Sequence, residues 1–138
     1  MSAYVVTTID AVPSIHDEGV DWKPIQHHFQ LTAFGINVYR ATDVGVQVIG
    51  DHDESAGRHE EVYLVLDGRV RFTAGDEEVV CGGGSLVVVK DPTVRRGAVA
   101  ETEDAVVLAV GNRQADRFET TWQPEHFHGV PTYDDLSG

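Results

Sequence analysis

The sequence predicts an all-β domain, a sandwich or barrel, and three observations carry that expectation. Short apolar runs, some alternating and some continuous, recur along the chain. Turn signals separate them every several residues. No stretch sustains the 3.6-residue apolar period of an amphipathic helix. At 138 residues the chain is one domain, large enough to bury a core without disulfides or a structural metal, and it shows no internal repeat and no linker.

Residues 4–8 are rich in β-branched side chains and predict a short first strand. Residues 13–19 are polar and turn-like. Pro24 biases Lys23 away from helix, so 22–24 is expected to be loop. Residues 25–32 alternate weakly, and 34–41 (F-G-I-N-V-Y-R-A) make a better strand. In 44–49, Val44, Val46 and Val48 alternate with Gly45, Gln47 and Ile49, giving a strand that leads into a polar loop at Asp51. Two alternating runs, 59–66 and 69–74, flank Asp67-Gly68, the strongest short-range hairpin signal. A two-residue turn there sets Leu66 opposite Arg69, Val65 opposite Val70 and Tyr63 opposite Phe72. Gly75-Asp76 is the next turn, before a strand at 78–81. Gly82, Gly83 and Gly84 break the chain ahead of the continuous apolar strand 86–89. After the Asp91-Pro92 turn, 93–100 is a strand interrupted at Gly97, and 105–111 (A-V-V-L-A-V-G) is the last strand. From Asn112 the chain is polar with isolated aromatics and reads as an arm.

Within the central hairpin, alternation puts His59, Glu61, Tyr63, Val65, Val70 and Phe72 on one face. Val62, Leu64 and Leu66 lie on the other, beside Arg69 and Arg71. Both faces are substantially apolar. One lines the interior, and the other needs cover from the N-terminal segment, the arm or a second copy of the chain; a homodimer is the expectation.

The formal charge of −13 argues against nucleic acid and anionic membrane partners, and only Arg95 and Arg96 are adjacent cations. A single cysteine, Cys81, permits no internal disulfide and suits a reducing compartment. The opening M-S-A-Y-V-V-T-T-I-D has no basic leader before a long apolar run, and no apolar stretch nears the ~20 residues that cross a bilayer. A cytoplasmic location is expected.

The densest chemistry lies in 51–68, D-H-D-E-S-A-G-R-H-E-E-V-Y-L-V-L-D-G, a loop of imidazoles and carboxylates feeding a strand. Here the sequence resembles the cupin family. The run E-E-V-Y-L-V-L-D-G at 60–68 is similar to the first cupin motif, in which a glutamate, Glu61, is followed after six residues by a glycine, Gly68. G-S-L-V-V-V-K-D-P at 84–92, followed by T-V-R-R, is similar to the second. The resemblance covers about 44–111 of a single domain spanning 1–138, leaving 112–138 as the arm. It implies a double-stranded β-helix, a small jelly roll with its site inside the barrel. Metal-binding cupins place H-x-H shortly before the glutamate and a third histidine in the second motif. Counted back from Glu61, those positions hold Ser55 and Gly57 (or Glu54 and Ala56), and the second-motif position holds Arg95.

Two accounts of the site stand at this level. In one, His52, His59 and Glu61, with Asp53 or Glu54 in reserve, hold a divalent transition metal such as Fe, Mn, Ni or Zn. In the other the pocket is metal-free and the Arg95 guanidinium pairs with Glu61. His59 and Glu61 would have to converge from ~6.5–7 Å apart along the strand, and Arg95 brings a permanent positive charge; both tilt the balance to the metal-free form. The corresponding function is a non-redox enzyme of isomerase or cyclase type. His59 or Glu61 serves as general acid/base, Arg95 orients an anionic or carbonyl-bearing substrate, and Tyr63 and Phe72 shape the pocket. The alternatives are a non-catalytic ligand-binding or sensor module, and a metal-dependent dioxygenase on the His52, His59 and Glu61 set. His126 and His128 belong to the arm, His27 and His28 face opposite ways if that stretch is a strand, and Cys81 is a small apolar filler.

Overall fold

The computed structural model describes residues 3–137. Strands β1 (Ile15–Asp17), β2 (Val20–Lys23), β3 (Gly35–Ala41), β4 (Gln47–His52), β5 (His59–Asp67), β6 (Arg69–Ala74), β7 (Glu77–Gly82), β8 (Leu86–Val89), β9 (Arg96–Ala100) and β10 (Val106–Arg113) make two antiparallel sheets. One sheet runs β1-β2-β3-β10-β5-β8 and the other β4-β9-β6-β7. Their facing sides enclose the core. Alternation within β5, β6, β9 and β10 delivers Tyr63, Val65, Val70, Phe72, Ala98, Ala100, Val107 and Ala109 to it, all buried. The Tyr63 and Phe72 rings meet across the core at 5.1 Å between centroids, which adds about 0.5–1.5 kcal/mol to the area they bury. Cys81 lies in the same core, buried and free.

The expected Asp67-Gly68 hairpin does not form. Both edges of β5 are taken, by β10 on one side and β8 on the other, so no edge is left for β6. Gly68 instead turns a corner that carries the chain into the opposite sheet, where β6 pairs with β7 and β9. Its φ of +71° is in the left-handed region, and a Cβ there would lie 2.5 Å from Thr102 Oγ1 and 2.9 Å from the Ala105 Cα. The face assignment survives even though the pairing does not. Tyr63 and Phe72 touch across the sandwich rather than along a ladder.

The N-terminal third differs most from expectation. Residues 4–8 are exposed and form no strand. The first strand is β1, joined to β2 by Glu18 and Gly19, both with positive φ, a hairpin turn of the primed type. Trp22 and Lys23 belong to β2 rather than to a loop over 22–24; the extended backbone that Pro24 imposes on Lys23 is as compatible with a strand. Residues 25–32 hold a one-turn helix, α1 (Ile25–Phe29), ended by Gln30 in the left-handed conformation. Five residues are too few for a 3.6 period to show. β4 begins three residues later than the alternation from Val44 suggests, and β9 starts at Arg96 rather than at 93. From Asp116 the arm is exposed throughout its described side chains, with a 3-10 turn at Pro124–Phe127 and a short helix, α2 (Tyr133–Ser137). No helix among the described residues is long and apolar enough to cross a membrane.

Candidate functional site

A cavity of about 650 Å³ opens between β3, β4, β5 and β10. Beneath it β10 presents small residues, which leave space beside the larger polar side chains of Asn37, Glu61 and Tyr63. Ala109 sits between Asn37 on β3 and Tyr63 on β5, and Gly111 sits between Gly35 and Glu61. A Cβ on Gly111 would come within 3.0 Å of Glu61 Cγ, so glycine there makes room for the carboxylate. The alternation of small residues in A-V-V-L-A-V-G was a readable sign of this floor.

Glu61 stands at the centre of the polar groups. Its Oε1 accepts hydrogen bonds from Tyr63 Oη at 2.6 Å and from Arg96 Nη2 at 2.7 Å. The Arg96 side chain is fully buried; its Nη1 also donates to the Val94 carbonyl at 2.7 Å and its Nε to Tyr63 Oη at 3.3 Å. Each of its three guanidinium nitrogens thus has an acceptor, as a buried cation requires. Burial works against the guanidinium's charge, yet the bonds to Tyr63 and Glu61 outweigh it and hold the group above its usual value. Burial, with the bond to Glu61, pushes the Tyr63 phenol well above its ordinary range.

Here the expectation for Arg95 is corrected. Arg95 is exposed and its Nη2 reaches only the Asp51 carbonyl, at 3.4 Å. The partner of Glu61 is Arg96. Neighbours on a strand face opposite ways, and β9 starts at Arg96, which puts that side chain into the barrel. Counting along the motif was one residue short of the inward position.

His52, at the end of β4, lies next to Glu61. Its Nδ1–H donates to the Gly50 carbonyl at 2.8 Å; a carbonyl only accepts, so this nitrogen carries the proton. The other nitrogen, Nε2, is 3.3 Å from Glu54 Oε2 and 3.5 Å from Glu61 Oε1. Glu54 also takes the Nδ1–H of His59 on its Oε1 at 2.7 Å, so one carboxylate bridges two imidazoles. His59 faces the cavity from β5 but does not join the group of His52, Glu54 and Glu61, whose ligand-type atoms all lie within 4.8 Å of one another. Asp53 turns away to accept from the Ser55 backbone N–H at 3.0 Å, a bond that lowers its pKa and closes the loop. Tyr39 of β3, not singled out by any sequence motif, also lines the cavity. Burial first, then the charges of Glu61 and Glu54, raises its phenol to about 12. Phe72 lies behind Tyr63 in the core and is not among the lining residues. His126 and His128 are exposed on the arm, and His27 and His28 on α1.

No family model matches the sequence, and no curated protein sequence does. Solved structures do match. A cupin protein from Bacteroides fragilis superposes with a TM-score of 0.67 at 16% identity, over 88% of this chain and 93% of that one. The chain has the cupin fold. A cupin-superfamily sugar phosphate isomerase from Silicibacter pomeroyi gives 0.64 at 17% identity, over 80% of this chain and 76% of that one. Pac13 from Streptomyces, with uridine, gives 0.61 at 18% identity, over 82% and 84%; Pac13 is described as a nucleoside dehydratase. At such identities the likeness is one of fold.

Within this cupin barrel the Glu61 oxygen that faces His52 is poorly suited to a resident divalent ion. The Glu61 oxygen nearest His52 already accepts two short hydrogen bonds, one from a guanidinium that has no route to solvent. An ion held through the atoms that already face one another, His52 Nε2, Glu54 Oε2 and Glu61 Oε1, would compete with Arg96 for that last oxygen and lie close to its positive charge. Arg96 is the cation that this barrel has built in.

Proposed function

We propose that the chain is a small-molecule acid–base enzyme of non-redox type, with His52 as the group that carries the proton. The placement of His52 supports this reading: Nδ1–H is pinned to a backbone carbonyl, and Nε2 is aimed between two carboxylates at the rim of a cavity. A backbone acceptor on one nitrogen selects the tautomer whose other nitrogen can take or give a proton. Glu61, held by Arg96 and Tyr63, serves to orient the groups around it. His59 acts through Glu54, as a positioning residue. Tyr39 stays a neutral phenol, able to donate a hydrogen bond to an oxygen on which charge develops. The set suits removal of a proton next to a carbonyl, the C–H electron pair passing into an enolate and the proton returning at another carbon or on a leaving group. Fold neighbours that include a sugar phosphate isomerase and a nucleoside dehydratase are in keeping with such chemistry.

The test is exchange with solvent. Incubated in D2O with carbonyl-bearing sugars and nucleosides, the wild-type protein should place deuterium in one of them, and His52→Gln should lose that activity while keeping its fold. Exchange undiminished in His52→Gln sinks the role of His52. A compound that binds and melts with the protein but gains no deuterium and yields no product favours the binding-module reading instead.

The assembly we propose is a cytoplasmic homodimer. It rests on the outer face of the six-stranded sheet, where Leu86 and Val88 are 62% and 58% exposed beside Val62 and Leu66. A double Leu86→Lys, Val88→Lys variant that sediments as wild type does would refute it.

A further inference from the structure

We propose that the cavity takes an uncharged, polyhydroxylated ring compound, a sugar or a nucleoside, and turns away the same ring when it carries a phosphate. This rests on the small-molecule reading above and names the substrate class for that site. The inventory of hydrogen-bonding groups supports it. Three carboxylates, Asp51, Glu54 and Glu61, line the cavity, and no lysine or arginine does among the described residues. Arg96 is no exception: its side chain is wholly buried, and it is spent on Glu61, Tyr63 and the Val94 carbonyl. Arg95 faces outward. Among the lining residues the only basic groups a phosphate meets are the His52 and His59 imidazoles, each already beside the Glu54 carboxylate, in a protein whose formal charge is −13.

Carboxylates accept and cannot donate, so the ligand must bring donors to meet those three groups. Gln26 adds a further acceptor, because its Nε2 is tied to the Leu31 carbonyl at 2.7 Å and leaves Oε1 to the cavity. Asn37 supplies the complement: its Oδ1 is held by Trp22 Nε1 at 2.8 Å, which leaves its NH2 as a donor. Hydroxyls, each a donor and an acceptor, satisfy both kinds of group without adding charge. Leu31, Phe34, Val48 and Ile49 give an apolar wall for the C–H face of a ring, and about 650 Å³ is room enough for one.

The test compares matched pairs by calorimetry on the intact protein: D-ribose with ribose 5-phosphate, D-glucose with glucose 6-phosphate, and uridine with uridine 5′-monophosphate. At about 20 mM ionic strength, at least one neutral member should bind, its phosphate at least about tenfold more weakly. The gap should narrow with added salt, and in Glu54→Gln or Asp51→Asn, whose folding is checked by melting. A phosphorylated member binding as tightly as its neutral partner, a gap indifferent to salt, or no binding by any neutral member overturns the proposal. These outcomes separate from the acid–base reading. A neutral ring that binds and never exchanges a proton sinks that reading and leaves this one standing, and exchange seen only in a phosphorylated ring does the reverse.

Discussion

The buried Glu61–Arg96 pair makes a quantitative prediction. Arg96→Met removes a cation with no exposed side-chain surface and strands a carboxylate that is 16% exposed, with only Tyr63 still donating to Oε1 among its described hydrogen bonds. Breaking a buried pair in this way costs about 3–5 kcal/mol. Glu61→Gln keeps an oxygen that can accept from Tyr63 and Arg96 but removes the counter-charge, and should cost about 2 kcal/mol. Summed, the single changes come to about 6 kcal/mol, against the roughly 5–15 kcal/mol that holds a domain folded. The double variant carries neither stranded charge, so its loss should be only about 3–4 kcal/mol. The coupling is then about 2–3 kcal/mol. Urea unfolding of the four proteins at neutral pH, followed by circular dichroism with the slopes compared, measures it. If the single losses add to within about 0.5 kcal/mol, Glu61 and Arg96 are not a coupled pair, and Arg96 does not stand in place of a metal.

Two further outcomes follow from the site. Of the four tyrosines, Tyr39 and Tyr63 should ionise above the ordinary phenol range, Tyr39 at about 12. Both values are raised on folding, so the stability they contribute is complete below the unfolded phenol value of about 10 and is lost as pH rises through the folded values. Phenolate absorbance should show a step near 12 that Tyr39→Phe removes, and a Tyr39 that ionises near 10 would contradict the burial and charge assigned to it. Protein purified without a histidine tag should hold less than about 0.1 equivalent of any transition metal, before and after soaking. A stoichiometric ion that is lost in His52→Ala and Glu61→Ala would mean that this donor set does hold a metal.

Much of the strand content was legible because its signals are local. Alternation at 59–66 and 69–74 depends on which side of each strand meets the core, and that period holds whatever the strands pair with. The same locality explains the failures. Asp67-Gly68 reads as a hairpin tip in isolation, but β10 and β8 already hold both edges of β5. Residues 25–32 are too few to distinguish a weak alternation from one helical turn. In the site, Glu61, His52 and His59 could be named from the sequence. Tyr39 could not, because it sits on β3, ahead of both motifs and with no signal around it.

The chain by itself determined the all-β class, the inward set from Glu61 to Phe72, and the loop from which the imidazoles come, since each depends on residue type and short-range period. Only the tertiary structure decided that β5 and β6 lie in different sheets and that Arg96 rather than Arg95 meets Glu61. It alone decided that Glu54 links the two histidines. Those outcomes depend on which strand edges are free and on where a strand starts to within one residue. A shift of one residue turns every side chain on a strand to the other face.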